Sequence, residues 1–135
     1  MKRLRVGVVY GGRSSEHEVS LASAAAVLTQ LDPKQYEVIP ICIQKDGRWS
    51  LADKPPSTLS AADLIASANS TVPSSNQPGT SREVHFLAYP AESRIMTIQI
   101  DSELTHEGVR AFVSRLGVDV VFPVVHGPFG EDGTL

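Results

Sequence analysis

The stretch Val6-Gly-Val-Val-Tyr-Gly-Gly-Arg-Ser-Ser-Glu-His-Glu-Val-Ser-Leu21 decides how the rest of the chain is read. Four of the five residues from Val6 to Tyr10 are apolar, which is the signature of a short buried strand. Gly11-Gly12 ends it, because paired glycines open turn angles closed to other residues. Ser15 stands three residues before Glu18, the spacing of a capping box, and an alanine-rich apolar run follows. Strand, tight turn and helix start therefore come in immediate succession. Such a start points free backbone N–H groups over the strand end. Arg13, Ser14, Ser15, Glu16 and His17 fall in that crevice.

The helix is expected from Glu16 to about Leu31, ended by Asp32-Pro33. Leu21, Ala24, Ala25, Leu28 and Leu31 share one face at helical spacing, and Val19, Ala22 and Ala26 form a second, small-residue face, so packing is expected on both. Tyr36 to Gln44 reads as the next strand, with Pro40 suggesting an edge or a bulge. Lys45-Asp-Gly-Arg48 is a hairpin turn into a short return strand, Trp49-Ser-Leu51. Trp49 reads as a lid over a small core. Residues 53–60 read as irregular, 61–68 as a short helix and 69–82 as a mobile surface loop. Glu83 to Tyr89 and Arg94 to Ile100 alternate as an antiparallel pair, with Val84, Phe86 and Ala88 on one side of the first and Met96, Ile98 and Ile100 together on the second. His85 reads as a strand-surface residue.

Glu107 to Leu116 is expected to be helical, with Val109, Phe112, Val113 and Leu116 on one face and Gly117 as its C-cap. Val118 to Val125 is apolar apart from Asp119 and reads as a central parallel strand buried on both faces; Pro123 would mark where its ladder stops. His126-Gly-Pro-Phe-Gly-Glu-Asp-Gly133 then crosses its carboxyl end. Ligands of open α/β sheets bind outside these ends. If the first and last strands are neighbours, loops 11–17 and 126–133 face one crevice.

Composition removes several classes of function. Fifteen acidic and twelve basic residues give a net charge of -3 over 135 residues, with no basic patch to hold a nucleic acid. Apolar runs fall far short of the ~18 residues of a membrane span, and Met1-Lys-Arg-Leu-Arg5 leads into a strand rather than into a signal-peptide core. The lone Cys42 excludes an internal disulfide framework and reads as a small buried hydrophobe. A soluble, cytoplasmic α/β domain is the expectation. The last residues, Gly133-Thr134-Leu135, follow a loop with nothing to anchor it, so the sequence reads as a fragment.

The chemistry of the two loops stays open at this level. The first matches neither a dinucleotide fingerprint nor a phosphate-binding Gly-Lys-Ser/Thr loop. Glu16 either pairs with the helix dipole or holds a cationic group such as an amine. Ser15 and Glu18 read as cap residues, and His17 has no assigned role. His126 suits a structural cap or a ligand contact, its position favouring the ligand. A metal reading of His126, Glu131 and Asp132 matches no known ligand spacing.

Two motifs together are more specific. Gly11-Gly12-Arg13-Ser14-Ser15-Glu16-His17-Glu18-Val19-Ser20 resembles the first signature of the D-alanine–D-alanine ligase family, and His126-Gly127-Pro128-Phe129-Gly130-Glu131-Asp132-Gly133-Thr134 resembles the second. The resemblance implies a Rossmann-like pre-ATP-grasp domain, a three-layer open parallel α/β sheet, over residues 1–125. It makes 53–106 a variable insertion and 126–135 a loop leading toward central and C-terminal ATP-grasp domains. It further implies that two D-alanines are joined at the expense of ATP, through an acylphosphate, for the cell-wall precursor. ATP and Mg2+ or Mn2+ would be bound by the other domains. By the same resemblance Glu16 would bind the ammonium of the first D-alanine and His126 would orient its carboxylate. Ser15 would join Glu16 and His126 as a catalytic residue by helping to place Glu16 and the turn, and Gly12 and Glu131 would join the substrate-binding residues, Glu131 at the rim toward the second substrate. A homodimer using the small-residue face of the helix or surfaces near it is implied, as is inactivity of residues 1–135 alone. The alternatives are another ATP-grasp ligase, such as one making D-alanyl-D-lactate, and a non-enzymatic small-ligand-binding module.

Overall fold

A computed structural model describes residues 2–52, 82–87, 95–100, 108 and 110–133. Among these residues one mixed sheet of seven strands carries a helix on one face. The elements are β1 (Leu4–Gly11), α1 (His17–Gln30), β2 (Tyr36–Ile43), β3 (Trp49–Leu51), β4 (Glu83–Phe86), β5 (Ile95–Ile100), β6 (Ala111–Arg115) and β7 (Val120–Val125). The strand order is β6-β5-β4-β3-β2-β1-β7. β1 pairs in parallel with β2 on one side and with β7 on the other, so the three strands expected to form a parallel core do so. From β2 through β6 every pairing is antiparallel, so the sheet is mixed rather than parallel throughout. The readings of 53–81, of Ala88, Tyr89 and Arg94, and of Glu107 and Val109 lie outside the described residues.

The β1 run is buried because both of its faces are covered. Val6, Val8 and Tyr10 pack under Ala24, with Leu21 and Leu28 of α1 and its C-cap residue Leu31 around them. Val9 points the other way, into a cluster with Ile39, Ile41, Ile43, Val84 and Ile95, closed by Trp49 and Leu116. Val8 and Val9 are fully buried, and such side chains each contribute about 1.5–3 kcal/mol. Ala24 and Ala25 let α1 lie close against the sheet. On the second face of the helix, Val19 and Ala26 are exposed within this chain. Trp49 packs on the small core as expected, with its ring edge-on to Phe86 at 5.1 Å. Cys42 is half-buried, and burial pushes its thiol up to about 11.

Further expectations are corrected. Residues 111–115 are strand β6, paired along β5 from Ile100↔Ala111 to Met96↔Arg115, and not part of a helix over 107–116. Gly117 accordingly has no positive φ. Four apolar residues in ten fit a helical face, but Phe112 and Val113 favour a strand when an edge is open to them. β7 is an edge strand among the described residues, with Val120, Val121 and Phe122 exposed; α1 reaches only its far end at Val124. The edge also accommodates Pro123, and pairing with β1 continues past it to Val125. Pro40 lies in an interior strand and not on an edge. It is tolerated because the β3 ladder stops at Ile41↔Leu51, leaving only the Ala52 amide to bond its carbonyl at 3.1 Å. β5 keeps Met96, Ile98 and Ile100 on one side, as the alternation requires, and turns Ile95 and Thr97 inward. Thr97 sits opposite the buried Val84, and directly opposed residues share a face.

Candidate functional site

Since β1 and β7 are adjacent and parallel, their carboxyl ends open side by side. β2 lies on the other flank of β1, so this is the point from which the strand order departs in both directions, where α/β sheets form crevices. The turn out of β1 is built on glycine. Gly11 has φ +92, and a Cβ there would lie 2.3 Å from the Ile43 carbonyl oxygen. Gly12 has φ +112 and donates its N–H to that same oxygen at 2.9 Å.

A polar stripe on α1 fastens this turn. His17 is buried, with Nδ1 2.8 Å from the Gly12 carbonyl. A carbonyl only accepts, so Nδ1 carries the proton. Ser20 is fully buried and joins the two strand ends: its Oγ accepts from the Gly11 N–H at 2.8 Å and donates to the Val124 carbonyl. One turn later, Ser23 Oγ lies 3.1 Å from His126 Nε2. The spacing of three between His17, Ser20 and Ser23 is the sequence signal for this stripe, beside a more prominent apolar face.

The capping box is not formed. Glu16 is the N-cap residue with no side-chain cap bond, and the helix starts at His17. Ser14, not Ser15, fixes the turn. Its hydroxyl accepts from the Glu16 N–H at 3.2 Å and donates to the His126 carbonyl at 2.8 Å, so it ties the two loops together. Ser15 is exposed. Glu18 turns away to Lys45 in the β2–β3 hairpin at 2.5 Å, and that hydrogen bond holds its carboxyl below the usual range. A depressed acid stabilises the fold above its ordinary value and loses that contribution as pH falls through the folded one. Lys45 is 65% exposed, so Lys45→Ala should cost no more than about 1 kcal/mol at pH 7. The cost should vanish in acid, as measured by urea unfolding at both pH values.

The second loop folds on itself. The N–H groups of Gly130 and Glu131 both bond the Gly127 carbonyl, and the Phe129 N–H bonds Asp132 at 2.9 Å. Phe129 has φ 66, which places its ring under the Arg13 guanidinium at 4.9 Å, a cation–π contact between the loops. Gly127 abuts Ser14 and Glu16, with the Glu16 carboxyl carbon 3.6 Å from where its Cβ would be. Glu131 comes to 3.7 Å from His126 Nδ1. Asp132 is committed to its own loop, so the two adjacent acids diverge.

Gly12, Glu16, His126 and Glu131 are therefore brought to one crevice, and Ser15 is exposed beside Glu16 in sequence. An exposed carboxylate on one loop and an imidazole on the other suit a small zwitterion carrying both an ammonium and a carboxylate. The sequence places Ser14 in the crevice without giving it a role, and Ser20 and Ser23 are the members that sequence reasoning missed.

The class that this fold defines is an α/β domain with a crevice at its parallel strand ends. Residues 5–135 match the family described as D-ala D-ala ligase N-terminus, and the chain belongs to that family. It is 42% identical over 134 residues to a D-alanine–D-alanine ligase of Mycolicibacterium vanbaalenii, covering 98% of this chain and 32% of the relative. Identity to the D-alanine–D-alanine ligase of Mycobacterium ulcerans is 43% over 135 residues, 99% of this chain and 32% of the relative. The solved structure of a D-alanine–D-alanine ligase from Coxiella burnetii superposes with a TM-score of 0.62 at 28% identity, over 98% of this chain and 31% of that one. The chain thus spans about a third of the length of the relatives it matches.

Proposed function

We propose that this chain supplies the amino-acid-binding domain of an ATP-dependent D-alanine–D-alanine ligase of cell-wall precursor synthesis, acting in the cytoplasm as a homodimer. The observation that carries this reading is that Ser14 binds the Glu16 amide and the His126 carbonyl at once, which sets a carboxylate and an imidazole in one crevice. Glu16 takes the ammonium of the first D-alanine, and His126 orients its carboxylate, the group to be activated. Gly12 gives the substrate close access to the backbone, Ser15 flanks the turn, and Glu131 lies toward the acceptor.

The residues of this crevice do not fit a nucleotide or its metal. Arg13 is engaged by Phe129 and Asp132 by the Phe129 amide, and no lysine lies in either loop. ATP and Mg2+ or Mn2+ belong to the central and C-terminal domains of such ligases. The part of this chain in the reaction is to bind and orient the amino acid.

The test is the ligase containing this chain, assayed for D-alanine-dependent phosphate release. Glu16→Gln removes a charged hydrogen bond of about 1.5–3 kcal/mol, so the KM for the first D-alanine should rise roughly 10- to 150-fold. The KM for ATP should stay within about twofold, and residues 1–135 alone should show no turnover. Unchanged D-alanine kinetics in Glu16→Gln, or turnover by the 135 residues that depends on Glu16, would refute the assignment. A second reading concerns the acceptor. The D-Ala:D-Ser ligase VanG of Enterococcus faecalis matches at 25% identity and a TM-score of 0.56, so D-serine is the competing acceptor to assay.

A further inference from the structure

We infer that Ser23 is a positioning residue that fixes the His126 ring as the tautomer with its proton on Nδ1, and so decides which nitrogen the crevice presents. Four observations carry this. Ser23 Oγ is 3.1 Å from His126 Nε2 in a part-buried contact. Glu131 Oε1 is 3.7 Å from the other nitrogen, Nδ1. The backbone of His126 is held independently, through its carbonyl, by Ser14. Ser23 itself is fixed, because it lies on α1 three residues beyond the fully buried Ser20.

The proton positions follow from the partners. A carboxylate has only lone pairs to offer, so a favourable contact with Glu131 requires N–H on Nδ1. In the neutral imidazole Nε2 is then the bare nitrogen and must accept. The Ser23 hydroxyl is the donor to it. If the ring turned over about its Cβ–Cγ bond, the hydroxyl would face carbon and the part-buried donor would lose its partner.

The two contacts differ in kind. Ser23 is at hydrogen-bonding distance on a rigid helix. Glu131 is beyond that distance, on a loop, with its side chain 63% exposed. Ser23 is therefore the permanent partner and Glu131 a replaceable one. A ligand carboxylate arriving at Nδ1–H takes the place of Glu131 without disturbing the ring. This deepens the proposed amino-acid site and rests on it for its meaning, but the tautomer itself does not depend on any ligand.

The experiment is a long-range 1H–15N correlation spectrum of the 15N-labelled 135-residue chain, without ligand, at a pH where the imidazole is neutral. The expected result is an N–H-type resonance for Nδ1 and a far-downfield bare-nitrogen resonance for Nε2 of His126. Ser23→Ala, which favours the helix by propensity, should lose that pattern and give the exchange-averaged shifts of a free imidazole. Ser23→Thr should restore it. A proton on Nε2 in the unaltered chain would overturn the inference, whether or not any variant folds. An unchanged Nδ1–H pattern in a folded Ser23→Ala would also overturn it. Titrating D-alanine into the same sample separately tests the amino-acid reading. Failure to bind there leaves the tautomer result standing.

Discussion

Gly11→Ala is expected to destabilise the fold by about 3 kcal/mol or more, a large share of what a single domain has to spare. Two costs combine. A φ of +92 is strained for any residue with a Cβ, at about 1–2 kcal/mol. The new Cβ would also lie 2.3 Å from the Ile43 carbonyl oxygen, which cannot swing aside. That oxygen belongs to the backbone of β2 and already accepts the Gly12 N–H. Relief therefore requires β1 and β2 to part at the very end that forms the crevice. Gly133 is the internal control. It too has a positive φ, +78, but nothing lies within 4 Å of its would-be Cβ. Gly133→Ala should cost only about 1 kcal/mol. Urea midpoints for the two variants measure the difference, and equal midpoints would show that the close approach at Gly11 is not what holds the turn.

Ser20→Ala should be the next most damaging change, at about 2–3 kcal/mol. Ser20 is fully buried and serves two backbone groups, the Gly11 N–H and the Val124 carbonyl. Alanine would sit well in the helix, so propensity predicts a small gain. The loss comes from the stranded amide, since a buried donor without a partner costs about 1–3 kcal/mol. The Gly11 amide should also exchange with solvent faster than its β1 neighbours in the variant. A variant as stable as the parent, with Gly11 still protected, would mean that another acceptor reaches that amide and that Ser20 is not the joint between the strands.

The parts of this fold legible in the sequence are those set by local patterns. The Val6–Tyr10 run, the glycine pair and the Ala-rich helix together place β1, the turn and α1, and the last apolar run places β7. Their adjacency makes the shared crevice, and both glycine-bounded loops lie where strand ends predict. What was not legible depends on partners distant in sequence. Residues 111–115 are a strand because β5 offers them an edge, which no local window contains. Thr97 faces inward because Val84 lies opposite it. Ser14 and Ser15 are indistinguishable as neighbouring hydroxyls until the His126 carbonyl, 112 residues away, selects the first. The apolar residues of α1 advertised its packing face, while Ser20 and Ser23 took their importance from strand ends and loops the helix had yet to meet.

That same joint between distant residues governs when the crevice comes into being. β1 can pair with β2, and β2 with β3, as they leave the ribosome, whereas the pairing of β1 with β7 must wait for the last strand. Ser14 donates to a carbonyl 112 residues later in the chain. At ~5–20 residues per second of synthesis, that is a delay of roughly 6–22 s during which Glu16 exists with no opposing wall. Long-range parallel pairing is also slow in its own right, because the closure entropy is lost before the contact repays it. The crevice is thus closed by the longest-range contacts of the sheet, β1 with β7 and Ser14 with the His126 carbonyl.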